Sequence, residues 1–280
     1  MNKIEIRIQK TQKISDALLE YGFSYNTVCK MLRMKDVRVD NVKTDKDNVV
    51  SEGQNIVCFC KELPQKKFEI VFEDENILII NKKSGIEVVG DNSIQSQIEG
   101  AIAVHRLDRN TEGLLIMAKN EQSEKDLLSA FKNHSIVKKY ICEVVGQTNF
   151  SGKKYSAYLF KDSKTSTVKV STQKTTGSVQ IETVFNTIKT GSVTSIVECQ
   201  LLTGKTHQIR AHLSFLGYPI LGDMKYGNEK MNKKLNEKTQ KLFCHFLMLD
   251  GLEFLKYLNG KQFKLLPPWA ENIKALGQKQ

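Results

Sequence analysis

The sequence predicts a mixed α+β protein in two parts, and three observations carry that prediction. Residues from about 12 to 60 combine two short helical patterns with two strand-like runs. The stretch 61–67 is charged, contains Pro64 and shows no periodicity. Beyond it, short apolar runs alternate with turn-forming residues and amphipathic helical segments. We therefore expect a small module over residues 1–61 and a larger domain over residues 68–280.

Composition narrows the class of protein. The 280 residues include 42 Lys and Arg against 31 Asp and Glu, a net charge of +11, which favours an anionic partner such as nucleic acid or a membrane surface. No apolar run approaches the roughly 18 residues that a membrane span needs. The first eight residues alternate like a strand and do not resemble a signal peptide. We expect a soluble, cytoplasmic monomer with no membrane contact.

Cysteine spacing argues against a metal site. The six cysteines show no Cys-x-x-Cys pair. We expect all six to be reduced and to lie in core or half-buried positions. A zinc site would need paired ligands, which the sequence does not offer. His207 and His212 are five residues apart, a spacing that does not bring them to one helical face.

Two helices and a hairpin are predicted for the N-terminal part. The first helix is indicated by apolar residues on one face, Ile14, Ala17, Leu18 and Tyr21. Val28, Met31 and Leu32 form the inward face of the second helix, and Lys30, Arg33 and Lys35 are predicted to face solvent. The hairpin turns at Asp40-Asn41, after the alternating run 37–39, and a last strand covers 56–59.

The elements of the larger domain follow from their apolar patterns. Strands are predicted at 68–72, 77–80, 101–104, 114–118 and 138–146, with two antiparallel strands at 179–185 and 193–201. Helices are predicted at about 121–133 and within 202–217, where Gly217 suits the C-terminal turn. The segment 152–174, rich in Lys, Ser and Thr, fits solvated hairpins or a loose loop.

A polar loop around Asp108 lies between two of these strands. Arg106 and Arg109 flank the Asp108 carboxylate. Nearby cations favour the ionised form of an acid, so Asp108 is suited to act as a nucleophile or base. The alternative is an exposed ion pair, and most such pairs contribute little to stability.

The residues of this loop resemble a known signature. His105-Arg106-Leu107-Asp108-x-x-Thr111-x-Gly113-Leu114-Leu115 is similar to the motif of the RluA-like pseudouridine synthases, which isomerise uridine in ribosomal and transfer RNA. Three further segments resemble motifs of that family in the same order: 81–85, 138–146 and 203–212. The sequence departs from the family pattern at Lys83, where Pro is expected, at Glu112, where a small residue is common, and at Lys205, where the family has Arg.

The resemblance implies a fold and a set of roles. The fold would be a largely antiparallel mixed sheet with flanking helices. Asp108 would be the catalytic residue, Arg106 would enter the RNA stack and Tyr140 would contact the target base. Arg210 would hold Asp108 in a bidentate pair, and we assign His207, on the same predicted helical face, to RNA binding. The chemistry calls for no metal, nucleotide or other cofactor.

The N-terminal part resembles a second family, the RNA-binding module named after ribosomal protein S-four. The resemblance implies that Lys30, Arg33 and Lys35 bind RNA, although the same cations would also suit a merely solvated face. The family's Asn-Gly turn is replaced by Asp40-Asn41, and its Gly-Asp by Gly53-Gln54.

The implied function is isomerisation of specific uridines in structured RNA, with large-subunit ribosomal RNA as the first expectation. Two alternatives remain open: a synthase acting on transfer RNA, and a non-catalytic RNA-binding factor in ribosome assembly. A phosphodiester-cleaving enzyme would require carboxylates clustered around metal ions, and the sequence shows no such cluster.

Overall fold

The structure, a computed structural model, describes residues 2–61, 67–162 and 167–270. The described residues form two compact units, one from residues 2–61, 67–69 and 90–99 and the other from residues 70–89, 100–162 and 167–270. The predicted linker at 61–67 falls mainly on residues 62–66, which lie outside the described residues. The inclusion of residues 90–99 in the first unit has no counterpart in the sequence pattern.

The described part of the first unit contains a four-stranded sheet, a two-stranded ribbon and two helices. Its elements are β1 (Asn2–Arg7), β2 (Gln12–Lys13), α1 (Ile14–Glu20), α2 (Tyr25–Arg33), β3 (Val37–Val39), β4 (Val42–Thr44), β5 (Val49–Val50) and β6 (Asn55–Cys60). The sheet has the order β1-β6-β3-β4, and β2 pairs with β5. Asp40 and Asn41 have φ values of 46° and 69°, as a tight two-residue hairpin turn requires. Both predicted helices and the hairpin are confirmed.

The faces of these helices agree with the sequence pattern except at two positions. The predicted inward residues of α2 are buried, and Lys30, Arg33 and Lys35 are exposed. Tyr21 was expected on the buried face of α1 but follows its last residue and is 46% exposed. Cys29 is also exposed, whereas the other five cysteines are buried, and all six are free thiols. The prediction of a buried or half-buried Cys29 is therefore wrong.

A long mixed sheet organises the rest of the described chain. Its elements are β7 (Phe68–Glu73), β8 (Ile77–Lys82), β9 (Ile102–Ala103), β10 (Glu112–Ala118), α3 (Glu121–Lys132), β11 (Val137–Val145), β12 (Ser151–Asp162), β13 (Thr167–Ser171), β14 (Val179–Thr190), β15 (Thr194–Leu201), α4 (Gln208–Phe215), α5 (Glu229–Lys234), β16 (Leu242–Met248) and β17 (Gln262–Lys264). The strand order is β13-β12-β14-β15-β11-β16-β10-β8-β7, with β17 beside β16 and β9 beside β10.

The predicted α+β class and largely antiparallel sheet are confirmed. β10 pairs with β16 in parallel and with β8 in an antiparallel manner, and β11 pairs antiparallel with both β15 and β16. The apolar runs of β8 and β10 are fully buried, which explains why they read as continuous rather than alternating hydrophobic segments. β14 and β15 alternate buried and partly exposed residues over much of their length, as predicted. None of the described helices is long and apolar enough to span a membrane.

The helix predicted within residues 202–217 is shorter than expected. It begins at Gln208, and His207 precedes it with a left-handed φ of 55°. The Gln208 side chain explains this start, because its oxygen accepts hydrogen bonds from Thr203 Oγ1 (2.9 Å) and the Lys205 amide (3.1 Å) and so fixes a loop before the helix. His207 and Arg210 therefore do not share one helical face. The segment 152–174 forms the hairpin β12–β13, with residues 163–166 outside the described residues.

Candidate active site

Lys82, the last residue of β8, holds the loop that carries Asp108. Its ammonium nitrogen donates to the carbonyl oxygens of Lys83 (3.1 Å), Asp108 (3.2 Å), Arg109 (3.0 Å) and Thr111 (2.9 Å). Lys82 is completely buried, and burial lowers its pKa to about 8. The ammonium form still dominates at neutral pH, and the four carbonyl oxygens compensate a charge that is costly to bury alone.

Further hydrogen bonds join the loop after β8 to the Asp108 loop. The Gly85 amide donates to the Arg109 carbonyl (2.9 Å), and Arg109 Nε donates back to the Gly85 carbonyl (3.2 Å). The Ser84 amide donates to the Glu112 carboxylate (3.0 Å). Glu112, a departure from the family pattern, thus connects two of the motifs. Together with the Lys82 contacts, these hydrogen bonds connect the two loops firmly.

The strand after the Asp108 loop requires glycine at its start. Gly113 has a φ of 108°, and a Cβ at this position would collide with the backbone of Cys244. Gly113 and Cys244 are register partners in the parallel pair β10–β16. The close approach brings β16 beside β10, and β16 in turn pairs with β11, the strand that carries Tyr140.

Asp108 and Asp223 share the guanidinium of Arg210. Arg210 Nη1 donates to Asp108 Oδ2 at 2.9 Å. Arg210 Nε and Nη2 donate to the two oxygens of Asp223 at 2.7 and 3.0 Å. The predicted bidentate pair between Arg210 and Asp108 is therefore wrong, because the fork of the guanidinium faces Asp223 and only one hydrogen bond reaches Asp108.

Asp223 is the fully satisfied member of this arrangement. Its side chain is inaccessible to solvent, and it also accepts the backbone amides of Lys225 (2.8 Å) and Tyr226 (3.0 Å). Burial alone would raise the pKa of Asp223, but the Arg210 and backbone hydrogen bonds lower it. Burial opposes the charge on Arg210, yet its bonds to the carboxylates raise the pKa of that guanidinium. Asp223 therefore fixes a permanently charged Arg210 beside Asp108.

His207 also lies near the Asp108 carboxylate, on the side of the oxygen that Arg210 contacts. Its Nε2 is 3.9 Å from Asp108 Oδ2, and its Nδ1 shares a hydrogen bond of 2.9 Å with the Tyr226 hydroxyl. That hydroxyl also accepts the Val168 amide at 2.9 Å. Burial lowers the pKa of His207, although the charge of Asp108 acts in the opposite direction. The ring is thus neutral at pH 7 and offers a hydrogen bond rather than a charge.

Tyr140 reaches the same site from β11. Its residue is 4% exposed, and its register partners on the adjacent strands are Cys199 and Cys244. Burial raises the pKa of Tyr140 well above its ordinary value. The side chain therefore remains a neutral phenol over the working pH range of an enzyme, suited to packing and hydrogen bonding.

These residues line a cavity of about 650 Å³, a volume within the range typical of small-molecule sites. Asp108, Tyr140, His207 and Arg210 all contribute to its wall. Arg106 lines it as well, is exposed, and forms no hydrogen bond or ion pair with any residue that the structure describes. Other exposed cations also line the cavity: Arg109, Lys132 and Lys205. The predicted RNA-binding residues Lys30, Arg33 and Lys35 belong to the first unit.

Sequence reasoning missed three residues that shape the site. Lys82 lies in a segment that resembles a family motif, but no sequence pattern indicated the contacts of Lys82, Asp223 or Tyr226. His212 has a different role: it is buried against Phe185, with ring centres 5.2 Å apart, and burial lowers its pKa to about 4. Within residues 2–61, 67–162 and 167–270, no cluster of three or more His, Cys, Asp or Glu side chains could hold a metal ion.

Comparison with known proteins agrees with this picture. A family model described as RNA pseudouridylate synthase matches residues 76–215. Ribosomal large subunit pseudouridine synthase C of Escherichia coli (strain K12) is 32% identical, over 92% of this chain and 89% of that protein. The protein of the same name from Haemophilus influenzae is 28% identical, over 100% of this chain and 84% of its own length.

Solved structures show the same fold. Human RNA pseudouridylate synthase domain containing 1 has a TM-score of 0.64 at 23% identity, covering 76% of this chain and 90% of the human chain. Human RNA pseudouridylate synthase domain containing 4 has a TM-score of 0.59 at 23% identity, over 71% of this chain and 89% of its own.

Proposed function

This chain belongs to the RluA-like family of RNA pseudouridine synthases, and on that premise we propose that it converts specific uridines of large-subunit ribosomal RNA to pseudouridine, with Asp108 as the catalytic carboxylate. The observation that supports this role is the position of Asp108, which lines a 650 Å³ cavity and accepts a 2.9 Å hydrogen bond from Arg210. The relatives named for the large ribosomal subunit support the choice of RNA.

The reaction needs little besides a placed carboxylate. The bond from the sugar to N1 of uracil breaks, the base turns, and a bond from the sugar to C5 forms. The proton lost from C5 is balanced by one gained at N1, so no electron acceptor or group donor is consumed. Asp108 could attack the sugar, add to the base or remove a proton from the sugar. In each route Arg210, fixed by Asp223, orients the Asp108 carboxylate.

The target uridine must leave its helix to reach this cavity, which costs a few kcal/mol in unstacking. Arg106 is exposed at the cavity, and in the proposal its guanidinium stacks in the space that the base vacates. Tyr140 packs against the flipped uracil, and His207 contacts the RNA with a hydrogen bond.

The first unit supplies RNA affinity in this proposal. Lys30, Arg33 and Lys35 are exposed on α2 and directly after it. Cations in such positions bind phosphates with little dependence on base sequence. Target choice would then combine this binding with recognition at the cavity.

The decisive test is Asp108→Asn. Asparagine keeps the size and the oxygen that accepts the Arg210 hydrogen bond, but it cannot act as nucleophile or base. We expect a folded variant that binds unmodified ribosomal RNA as tightly as the parent and forms no detectable pseudouridine. Turnover within tenfold of the parent, a barrier change below about 1.4 kcal/mol, would rule out the catalytic role.

The same assay separates the alternatives. Parent protein is incubated in parallel with ribosomal and transfer RNA from cells that lack this chain, and pseudouridine positions are mapped. If only transfer RNA were modified, the substrate would be transfer RNA and not ribosomal RNA. RNA binding without modification of either RNA would favour a non-catalytic assembly factor.

A further inference from the structure

We propose that Lys138 is a further substrate-contacting residue, whose ammonium binds the negative charge that develops on the uracil oxygens during the isomerisation. The proposal rests on the proposed function and adds a residue with a defined partner. Its basis is an unpaired cation inside the cavity that contains Asp108.

Lys138 lines the cavity and comes from the same strand as Tyr140. Residues two apart on a strand face the same side of the sheet, and both residues line the cavity. The Lys138 residue is half-buried, and its ammonium nitrogen lies 4.9 Å from the centre of the Phe131 ring. The side chain is thus directed along the cavity wall toward α3.

The groups around this ammonium are neutral. Burial and the Lys138 charge together lower the pKa of His105 well below its ordinary value, so that ring is uncharged. Burial raises the pKa of Cys244 to about 12, so its thiol stays protonated. Among the residues that the structure describes, Lys138 has no carboxylate within ion-pair distance. Burial lowers the pKa of Lys138 itself, the expected effect of a charge without a counter-ion.

The next residue shows what a paired lysine looks like in the same strand. Lys139 faces the opposite side of the sheet, where its ammonium is 3.5 Å from Glu198. Glu198 in turn is 3.1 Å from His245. Adjacent lysines thus differ in one respect: Lys139 has a carboxylate partner within the protein, and Lys138 faces a cavity that receives substrate.

The chemistry of the reaction supplies the missing anion. If Asp108 attacks the sugar or removes its proton, the N1–sugar bond breaks with its electron pair on uracil, and the charge spreads to O2 and O4. If Asp108 adds to the base instead, the resulting enolate carries the charge on O4. Every route therefore places negative charge on oxygens of the base beside Tyr140. A fixed cation there stabilises the transition state more than the ground state.

An RNA phosphate is the competing partner, and the position of Lys138 argues against it. Three other cations of the cavity are exposed to solvent, where they are accessible to the phosphates of an RNA backbone outside the cavity: Arg106, Lys132 and Lys205. Lys138 is more buried than these and sits two residues from Tyr140, which we place against the base.

The experiment compares three full-length variants with the parent. Lys138→Met removes the charge but keeps the aliphatic chain against Phe131, Lys138→Arg keeps a charge, and Lys139→Met makes the same change on the other face. Three quantities are measured on unmodified ribosomal RNA: the single-turnover rate with saturating enzyme, the RNA dissociation constant with its salt dependence, and the thermal unfolding midpoint. Lys138→Gln replaces the Met variant if the latter does not fold.

We expect Lys138→Met to slow the single-turnover rate about 100-fold or more, as does loss of one transition-state donor in other enzymes. RNA affinity and its salt slope should not change, and the unfolding midpoint should stay level or rise because an uncompensated charge is gone. Lys138→Arg should react at least tenfold faster than Lys138→Met. Lys139→Met should match the parent in rate.

Several results would overturn the proposal. An unchanged rate with weaker binding and a salt slope reduced by about one would make Lys138 a phosphate ligand. A lower rate that accompanies a lower midpoint would make it a structural residue, and an unchanged rate and affinity would leave it without a role. A parent protein that forms no pseudouridine would contradict the proposed function itself, a different outcome from any of these.

Discussion

Two carboxylates contact the same guanidinium, and their surroundings differ sharply. The Asp223 side chain is 0% exposed and accepts four hydrogen bonds, two from Arg210 and two from backbone amides. The Asp108 side chain is 23% exposed and accepts one bond from Arg210. Asp223 is closed to a substrate, whereas Asp108 lines the cavity and its side chain is partly exposed. A carboxylate whose hydrogen-bonding capacity is filled by the protein has a structural role, whereas one with capacity left can react with a substrate.

The support behind each carboxylate follows the same division. Asp223 is held by its own hydrogen bonds. Asp108 is positioned through its backbone, because Lys82 binds carbonyl oxygens of the Asp108 loop and does not contact the carboxylate. The fold can therefore keep the Asp108 loop rigid without using the carboxylate that the proposed reaction requires.

The largest expected effect is the difference in stability between two variants, Asp223→Asn and Asp108→Asn, in each of which a carboxylate is replaced by its amide. Asp223→Asn leaves Arg210 buried without a full counter-charge, and loss of one partner of a buried pair costs about 3–5 kcal/mol. Asp108→Asn should cost about 1 kcal/mol or less, as for a partly exposed pair. Urea unfolding of both variants measures the difference. Equal losses of unfolding free energy would contradict the division between a structural and a reactive carboxylate.

Acidification should weaken the helix that carries Arg210. His212 on the same helix has a pKa of about 4 in the folded protein against an ordinary value of 6.5. Between these values the unfolded chain binds a proton that the folded chain does not. The contribution is complete above pH 6.5 and is lost progressively as the pH falls toward 4. The expected loss is about 3 kcal/mol, from 1.36 kcal/mol for each pKa unit.

The check is a pH series of urea unfolding from pH 7 to 4.5, with His212→Gln as the matched variant. Carboxylates also lose favourable interactions in acid, so the difference between parent and variant is the relevant quantity. That difference should shrink as the pH falls, because the glutamine does not titrate. Parallel curves across this range would mean that His212 is not held neutral.

Replacing Lys82 should affect Asp108, the carboxylate that we propose reacts. Lys82→Met removes the ammonium and leaves four carbonyl oxygens without their donor, at a cost of about 1–3 kcal/mol in unfolding free energy. Because the loop that positions Asp108 loosens, pseudouridine formation should fall by more than RNA binding. Lys119→Met is the control, since Lys119 is partly exposed and pairs with Glu73. Full activity in Lys82→Met would show that the loop is positioned by other contacts.

The local elements of this fold were predictable because neighbouring residues determine them. The second helix was indicated by its three inward residues, and its N-cap Ser24 accepts the Thr27 amide at 3.2 Å. The hairpin after it depends only on two turn residues with positive φ. The start of α4 was not predictable in this way, since the stripe of Ile209 and Leu213 gives the period of a helix but not its first residue. That residue is set by the Gln208 side chain, which also donates to the Glu182 carbonyl of a distant strand (3.1 Å).

The candidate site shows the same limit. The resemblance singled out Asp108 and Arg210, and the structure brings them together. The partner of Arg210 was wrong because Asp223 reaches it through a turn at Gly222, where φ is 76° and a Cβ would collide with the Thr239 carbonyl. No local pattern reports such a contact between segments. The role of Lys82 was missed for the same reason, since its acceptors lie up to 29 residues away.

The smallest expected effect extends the contrast between paired and unpaired charges to the first unit. Lys35 is 3.3 Å from Asp45, whereas Lys30 and Arg33 have no carboxylate partner in the part of the chain that the structure describes. A cation that gives up a protein partner gains less from an RNA phosphate. Arg33→Gln and Lys30→Gln should therefore weaken RNA binding more than Lys35→Gln. Loss of one phosphate contact lowers the salt slope by about 0.9, which corresponds to about eightfold in affinity at 0.1 M salt.

Titration of unmodified ribosomal RNA at several salt concentrations measures both the affinity and the slope. Lys3→Gln is the matched control, because Lys3 is an exposed lysine of the same unit that pairs with Glu5 at 2.6 Å. Single-turnover rates at saturating enzyme should be unchanged in all four variants, since the residues proposed for the chemistry belong to the second unit. If Lys35→Gln flattened the salt dependence as much as Arg33→Gln, a carboxylate partner would not decide which cations serve RNA. A slower single-turnover rate in Arg33→Gln would instead give the first unit a part in the reaction step as well as in binding.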